Sequence, residues 1–307
     1  MLFPKKQVYP LIVPQICFKD KYENTNSFVE MNPSLHITET GELIILVRCV
    51  NYRKFFDKQF TMYENHSYSH YYILRGQIKE PLDIENFCIE RLNHEYFRPT
   101  YPTYWKGLED VRFIDATNIM AIVPECNSGG NPTQFCATLE GSLIHTFVEC
   151  RPNIVEKNWM PYYDKDKGKR KVIYSLEPFI VKDIIDDTMT EIVLSAEKKA
   201  LLKGFHGSTN GVKYDDDYTL FLIHINRDKV YHKWLWFDTI TNEVKLSCEF
   251  VFFNHSYIEF TCSLGRYNNR FFVSVGVNDD KAYIIETDKN AIDKFINIST
   301  GINHVLN

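Results

Sequence analysis

The chain has 307 residues, and its 44% hydrophobic and 15% aromatic content is enough to fill the core of one large domain or two ordinary ones. Acidic and basic residues are interspersed and leave a net charge of −5 with a pI near 6.1. Composition therefore gives no electrostatic reason to expect a nucleic acid or an anionic membrane surface as partner.

The amino-terminal segment contains three prolines, and its longest apolar run is too short to cross a bilayer or to serve as the core of a signal peptide. We predict an entry strand there, no membrane span and no signal peptide. Eight cysteines form no CxxC pair and lie mostly in apolar runs, which favours buried free thiols in a reducing compartment. A cytoplasmic location is predicted.

Short runs of β-branched and aromatic residues recur along the chain between Gly, Asn and Asp turn signals, as expected for strands. In chain order they are 43–50, 71–74, 118–123, 142–148, 172–174, 218–224, 233–237, 271–277 and 282–286. Helical periodicity is confined to about 195–203, with two shorter turns near 84–90 and 289–295. The pattern predicts an all-β fold.

Polar clusters recur at a regular interval: Asp110 to Asn158 is 48 residues, Asn158 to His206 is 48, and His206 to Glu259 is 53. This period fits one four-stranded propeller blade. The interval from Asn32 to Asp110 is 78 residues and requires an insertion, which we place at about 55–94 in the first blade. Residues 1–307 are predicted to form a single-domain, five-bladed β-propeller, with a C-terminal extension at 288–307 closing the ring.

The segment Gly107–Phe113 concentrates charge on one short strand-like stretch. In an extended strand, Asp110 and Arg112 would share one face and Glu109 the other. An adjacent cation favours the ionised carboxylate and burial opposes it, so this pair is a candidate for a tuned acid or base. An ordinary surface ion pair is the alternative.

Several of these segments, in this order and spacing, resemble one family of enzymes. They are NPSLHITETGELIILVR, GLEDVRF, EKNWMPYY, FHGSTNGV and FFVSVGVNDDKAYII. The family is that of the five-bladed β-propeller glycosidase-like enzymes, the β-mannoside phosphorylases and related β-1,2-mannosyltransferases. The resemblance covers about Asn32 to Glu286.

By position, the resemblance implies that Asp110 is the catalytic aspartate that protonates the glycosidic oxygen, in the phosphorylases through a sugar hydroxyl. It also implies substrate-binding roles for residues of all five clusters. These are Asn32, Arg48, Glu109, Arg112, Lys157, Asn158, Trp159, His206, Glu259 and Asp279.

The chain departs from the family at two places. Lys157-Asn158 stands where the phosphorylases have an Arg-Asn pair that contacts phosphate, and lysine cannot clamp phosphate bidentately. The segment around His206 replaces a Gly- and Pro-rich loop. The implied co-substrate is therefore either inorganic phosphate or a nucleotide sugar, and Asp110 would act as a base toward the acceptor in the second case.

Each candidate also has a structural interpretation. Arg112 could only position Asp110, Glu259 could hold a backbone amide, and the tryptophans could pack between blades, with Trp159 the best candidate for stacking on a sugar. His66 and His70 have helical spacing but lack a third ligand, so no metal site is predicted.

The sequence and its resemblance thus predict a carbohydrate-active enzyme that transfers a mannose-like glycosyl unit by inverting single displacement, as a glycosyltransferase or glycoside phosphorylase. A glycoside hydrolase is less favoured. A non-catalytic glycan-binding propeller and a protein-binding propeller are the alternatives from other classes. The carbohydrate partner, the linkage and the oligomeric state are left open.

Overall fold

The structure is a computed structural model that describes residues 1–20, 22–54, 60–62, 66–94, 100–149, 155–164 and 168–299. Five sheets, each of four or five strands and antiparallel except for the pairs made by two short edge strands, form the blades of a β-propeller. The predicted all-β class and five-bladed architecture are confirmed.

Three short strands precede the first blade: β1 (Gln7–Pro10), β2 (Cys17–Lys19) and β3 (Thr25–Ser27). The first blade then runs outward through three long strands with short strands around them. These are β4 (Val29–Ile37), β5 (Glu42–Val50), the hairpin β6 (Tyr52–Lys54) and β7 (Phe60–Met62), β8 (Ser67–Gln77), β9 (Cys88–Arg91), β10 (Asn93–His94) and β11 (Trp105–Lys106). Both β9 and β11 pair with β8, whereas β10 joins the outer strand of the second blade.

The predicted insertion at 55–94 therefore includes part of the first blade itself. Strand β8 is the third strand of that blade and β9 lies on its edge. The role of the remaining residues of 55–94 stays a prediction, and 55–59 and 63–65 lie outside the described residues.

The second, third and fourth blades follow in order, each beginning with its innermost strand. The second blade contains β12 (Glu109–Phe113), β13 (Asn118–Ile122), β14 (Gln134–Glu140) and β15 (Leu143–Glu149), and the third contains β16 (Met160–Asp164), β17 (Lys169–Leu176), β18 (Phe179–Asp183) and β19 (Met189–Glu191). Helix α1 (Ala196–Leu202) connects the third blade to the fourth. The fourth blade contains β20 (His206–Gly207), β21 (Val212–Lys213), β22 (Tyr218–Asn226), β23 (Val230–Asp238) and β24 (Val244–Leu246). In the fourth blade, β20 and β21 both pair with β22 and form a broken inner strand.

The fifth blade joins the two ends of the described chain. It consists of β25 (Glu259–Tyr267), β26 (Arg270–Val277) and β27 (Lys281–Asp288), and the amino-terminal β1 pairs with β27 as its outer strand. Helix α2 (Lys289–Ser299) follows, and the ring of its Phe295 lies 5.0 Å from that of Phe3. The pairing that completes the ring is thus made by the amino terminus. A closing role for 288–307 stays a prediction.

Apolar side chains fill the spaces between neighbouring blades. One buried cluster lies between each adjacent pair of blades around the ring, and the one between the second and third blades, around Met120 and Val172, is the smallest. Middle strands are therefore buried on both faces, which explains near-continuous apolar runs such as Trp234–Phe237. Burial of each such side chain contributes roughly 1.5–3 kcal/mol.

Nearly all predicted elements are present in the structure. Helix α1 is capped by the Ser195 side chain, which accepts from the amide of Lys198, and α2 begins at Lys289 as predicted. The helical turn predicted at 84–90 is wrong beyond Asn86, because the residues after it pair with the edge of β8. Within the described residues, neither helix is long and apolar enough to cross a membrane.

The seven cysteines in the described part of the chain are all free. Cys49, Cys126 and Cys262 are buried as predicted, whereas Cys17 and Cys88 are exposed. The reducing compartment and the cytoplasmic location stay predictions.

Candidate functional site

The predicted polar residues converge because each lies at the same end of a blade. Asn32 and Asp110 lie near the starts of inner strands β4 and β12, Asn158 just precedes β16, and His206 begins β20. Asp279 lies in the β26–β27 turn at that same end. The antiparallel order of each blade brings these positions together around the ring.

Local backbone geometry turns several of these side chains away from ordinary strand alternation. Asn32, Asp110 and Asn158 have φ values of 39°, 45° and 65°, in the left-handed region that side chains seldom adopt. Bulges interrupt the pairing of β4 around Asn32 and of β12 around Asp110. A bulge re-aims a side chain, and such strain in non-glycine residues is typical of functional sites.

Arg48 of β5 is the centre of an acidic cluster. Its Nη1 donates to Asp110 Oδ1 at 3.2 Å, its Nη2 to Glu109 Oε1 at 3.0 Å, and its Nε to Ser69 Oγ at 2.9 Å. The Nδ2 atom of Asn32 donates to the same Oδ1 of Asp110 at 3.0 Å. The guanidinium is buried, while the Glu109 and Asp110 side chains keep 24% and 17% exposure. Both carboxylates are therefore held in place and still reach the open end of the ring.

The predicted pairing of Asp110 with Arg112 is wrong. Arg112 Nε donates to the backbone oxygen of Ser208, and its Nη1 reaches only the backbone oxygen of Asp110, at 3.4 Å. The bulge between Glu109 and Arg112 breaks the alternation on which the prediction depended. Arg48 takes the place that the sequence assigned to Arg112.

Tyr52 and Asp279 interact electrostatically with this cluster. Burial raises the pKa of Tyr52, Arg48 lowers it, and the carboxylates of Glu109, Asp279 and Asp110 raise it further. Burial alone would lower the pKa of Arg48, but the surrounding tyrosines and carboxylates raise it well above its usual value. Asp279 therefore acts electrostatically on the same tyrosine as Glu109 and Asp110, and its substrate-binding role stays a prediction.

Cationic and imidazole groups surround His224 of the fourth blade, and Arg112 connects them to the backbone oxygen of Asp110. The pKa of buried His224 is lowered well below its usual value by burial, and then by His232, His206, Arg112 and Lys157. The His206 and His224 rings are 5.8 Å apart, and His224 Nδ1 lies 2.6 Å from Ser208 Oγ. This side of the site can accept an anion more readily than a second cation.

Lys157, Asn158 and His206 also line a cavity between the third and fourth blades. Its volume is about 450 Å³, and Tyr174 and Glu177 are among the residues that form its wall. Gly207 allows the two blades to approach, since a Cβ there would lie 2.1 Å from the Asn158 oxygen. The exposed Lys157 and His206 side chains are therefore open to a ligand.

Trp159 is among the residues that line this cavity, but almost all of its side chain is buried. Trp159 is 2% exposed and packs with Met120 and Val172 between the second and third blades. Lys182 Nζ lies 4.5 Å from the centre of its ring. The general expectation of inter-blade packing for the tryptophans describes this residue better than the stacking role predicted for it.

Glu259 is also not brought into the cluster. Its buried carboxylate accepts from the amides of Phe252 at 2.7 Å and Phe253 at 2.8 Å, and from the Ser256 hydroxyl. His232 Nε2 lies 3.5 Å away. These partners anchor the loop before β25, which is the structural alternative that the sequence left open.

We expect Glu259→Gln to lower the free energy of unfolding at pH 7 by about 1–3 kcal/mol, because an amide cannot accept from all of these donors. Burial raises the pKa of Glu259, but His232, Ser256 and backbone amides hold it below its usual range. A depressed folded-state pKa gives stability that is present above the unfolded pKa and is lost as pH falls through the folded one.

Denaturation of the wild type and the variant at pH 7 and in acid measures this effect. The difference between them should shrink in acid, while catalytic rates stay close to wild type. Exposed Glu39→Gln is the control. A large loss of activity with unchanged stability would return Glu259 to the substrate site.

Sequence reasoning missed Ser69 and Tyr71, both on β8. Tyr71 is the register partner of Arg48, and Ser69 lies two residues away on the same face. Only the strand register reveals them, because neither residue belongs to a local motif. Within the described residues, no group of three His, Cys, Asp or Glu side chains is arranged to hold a metal ion.

A scan against protein-family models finds no match, and no curated protein matches the sequence. Solved structures do match in fold. The β-1,2-mannobiose phosphorylase from Listeria innocua is 12% identical with a TM-score of 0.59, and the match covers 89% of this chain and 93% of that one. A glycosyl hydrolase from Bacteroides ovatus is 14% identical with a TM-score of 0.59, covering 94% of each chain.

A third similar structure belongs to a study of mannoside phosphorylases whose family contains glycoside hydrolases that target β-1,2-mannosidic linkages in Candida mannan. It is 11% identical with a TM-score of 0.58, and 94% of each chain is covered. The fold shared with mannoside phosphorylases and glycosidases agrees with the resemblance seen in the sequence.

Proposed function

We propose that this protein is a carbohydrate-active enzyme that transfers a mannose-like glycosyl unit to inorganic phosphate by a single inverting displacement. The observation that carries the proposal is Asp110, held by Asn32 and Arg48 at the end of the ring where Lys157, Asn158 and His206 line a cavity. An acid and an anion site side by side are what phosphorolysis requires. The shared fold of mannoside phosphorylases supports the same choice.

In this reaction Asp110 donates its proton to the departing glycosidic oxygen as the bond from that oxygen to the anomeric carbon breaks. A phosphate oxygen attacks the anomeric carbon from the opposite face and forms the new bond, so the configuration inverts. The products are the shortened sugar and a glycosyl 1-phosphate. Asp110 is left as a carboxylate, and the proton that hydrogenphosphate loses on becoming the phosphate ester returns to it through solvent.

Lys157, Asn158 and His206 are the proposed phosphate ligands. Lys157 supplies a point charge, Asn158 an amide donor, and His206 a further donor, and all three line the cavity between the third and fourth blades. A lysine binds phosphate without the two parallel hydrogen bonds of an arginine. We therefore expect weaker phosphate binding than an Arg-Asn pair would give.

The test is incubation of the protein with β-1,2-mannobiose and phosphate, with the product followed by phosphorus NMR. Formation of α-mannose 1-phosphate is expected. Mannose release that does not depend on phosphate would indicate a hydrolase, and transfer from GDP-mannose alone would indicate a nucleotide-sugar transferase. Binding of the disaccharide without any turnover would indicate a glycan-binding propeller. Each of these three results contradicts the proposal.

Within the same assay, Lys157→Met is expected to raise the KM for phosphate about tenfold or more, because a charge-assisted hydrogen bond to the anion is lost. The KM for the disaccharide should change little. Lys213→Met is the matched control, since Lys213 is an exposed lysine at the opposite end of the inner strand of the fourth blade. An equal rise in both KM values would remove Lys157 from the phosphate site.

A further inference from the structure

The two hydrogen bonds that hold the Asp110 side chain end on one oxygen. Asn32 Nδ2 at 3.0 Å and Arg48 Nη1 at 3.2 Å both donate to Oδ1. A protonated carboxyl group has one oxygen that only accepts and one that donates. With two donors on Oδ1, the proton of the acid belongs on Oδ2, so Oδ2 is the atom positioned to transfer it.

Asn32 is held from behind by a glycine of the fifth blade. A Cβ on Gly276 would lie 2.2 Å from Asn32 Oδ1 and 2.6 Å from the Asn32 backbone nitrogen. Real Cβ atoms do not approach other atoms so closely, so only glycine allows Asn32 to occupy this place. Gly276 lies within β26, where it pairs with Phe260 and Ala282, so its own position is fixed by two ladders.

Within the described part of the chain, no other hydrogen bond orients the amide of Asn32. Its Oδ1 is buried and finds no hydrogen-bond partner within the described residues, while its Nδ2 donates to Asp110. The left-handed backbone of Asn32 brings this short side chain toward the axis. Packing against Gly276 is therefore what determines where the amide donor points.

We infer that Gly276 is a positioning residue for the acid, acting through Asn32 to leave Oδ2 of Asp110 free to deliver the proton. The inference rests on the proposed function and goes further, because it assigns the reacting atom and a residue on another blade that sets it. Gly276 belongs to the segment FFVSVGVNDDKAYII of the sequence resemblance, but the resemblance assigned it no role.

The first experiment compares Gly276→Ala with Gly265→Ala. Gly265 also faces the first blade, but the three atoms nearest to a Cβ there belong to the Leu35 and Ile37 side chains, at 2.5–3.0 Å, and these side chains can move. Gly276→Ala is expected to lower kcat about 10²-fold, as a small misplacement of a catalytic group does. Its KM for the disaccharide should change by less than about threefold, and the solvent deuterium isotope effect on kcat should rise. Gly265→Ala should keep the wild-type kcat.

The second experiment does not require activity. The side-chain amide NMR signal of Asn32 is assigned by its loss in Asn32→Gly, which keeps the left-handed backbone. This signal should shift in Asp110→Asn and in Gly276→Ala, and should stay in place in Gly265→Ala. If Gly276→Ala does not fold, Asn32→Gly should itself show the loss of kcat at nearly constant KM.

The outcomes separate the two proposals. A Gly276→Ala variant with wild-type kcat, with an effect on KM alone, or with an unshifted Asn32 signal overturns the inference. NMR shifts as expected in a protein that fails to act on any mannoside leave the positioning of Asp110 supported and overturn the proposed function.

Discussion

Replacement of Asp110 by asparagine is expected to lower kcat/KM for phosphorolysis of a β-mannoside by about 10²–10⁴-fold, the usual contribution of a positioned general acid. The amide oxygen of the new residue can still accept from Asn32 and Arg48, so the local geometry is retained. Its NH2 group, however, occupies the place of Oδ2 and cannot serve as an acid near neutral pH. The loss should therefore appear in kcat with little change in stability.

A substrate with a good leaving group separates this role from others. Departure of 2,4-dinitrophenolate from an aryl mannoside needs no proton, so the variant should regain most of the wild-type rate on that substrate. If Asp110 were instead a base toward an acceptor, the rate of Asp110→Asn on the aryl mannoside would stay as low as on mannobiose. Asp216→Asn is the matched control, because Asp216 is an exposed aspartate that pairs with Lys213 outside the cluster, and this variant is expected to keep its activity. Full activity of Asp110→Asn on mannobiose would exclude the acid role.

The architecture was predictable from apolar runs because the middle strands of each blade are buried on both faces. Segments such as Leu43–Val50 and Phe271–Val277 become long strands almost unchanged in extent. The innermost strands were harder to locate. Short elements such as β16 and β20 combine polar residues with few apolar ones, since one end of each faces the axis. Their position was predicted from the spacing of the polar clusters and not from periodicity.

The partners of Asp110 could not be predicted from its own strand. Simple alternation gave Arg112, but a bulge and a φ of 45° re-aim Asp110 toward Arg48, which is 62 residues earlier in the chain. A bulge has no clear signature in a single sequence. The motif resemblance assigned Arg48 to the site without giving its contact. Strand register supplied that contact, and also the supporting Ser69.

Glu259 and Trp159 show a second limit of the sequence. Each lies beside a polar motif, and each was open to a structural or a functional interpretation. The deciding fact is what approaches from elsewhere in the chain: the Phe252 and Phe253 amides for Glu259, and Met120 with Lys182 for Trp159. Such neighbours depend on how blades and loops meet, and local pattern does not encode them.

Arg48→Met is expected to lower the free energy of unfolding by about 3 kcal/mol, because it removes the buried partner of two carboxylates. Methionine fills much of the volume, so the loss reports charge and hydrogen bonding more than a cavity. Glu109 and Asp110 keep 24% and 17% exposure, and the water that reaches them holds the effect at the low end of the range for buried pairs. Urea denaturation followed by circular dichroism measures the change.

The matched control is Lys19→Met, which breaks the exposed pair with Glu23 and should change stability by less than about 0.5 kcal/mol. The double variant Arg48→Met with Glu109→Gln tests the mechanism, since only one unpaired carboxylate then remains. It should be more stable than Arg48→Met alone, and a change below 1 kcal/mol in the single variant would contradict the argument. Because Arg48 joins the first blade to the second through these carboxylates, the same guanidinium both stabilises the ring and fixes the acid at its axis.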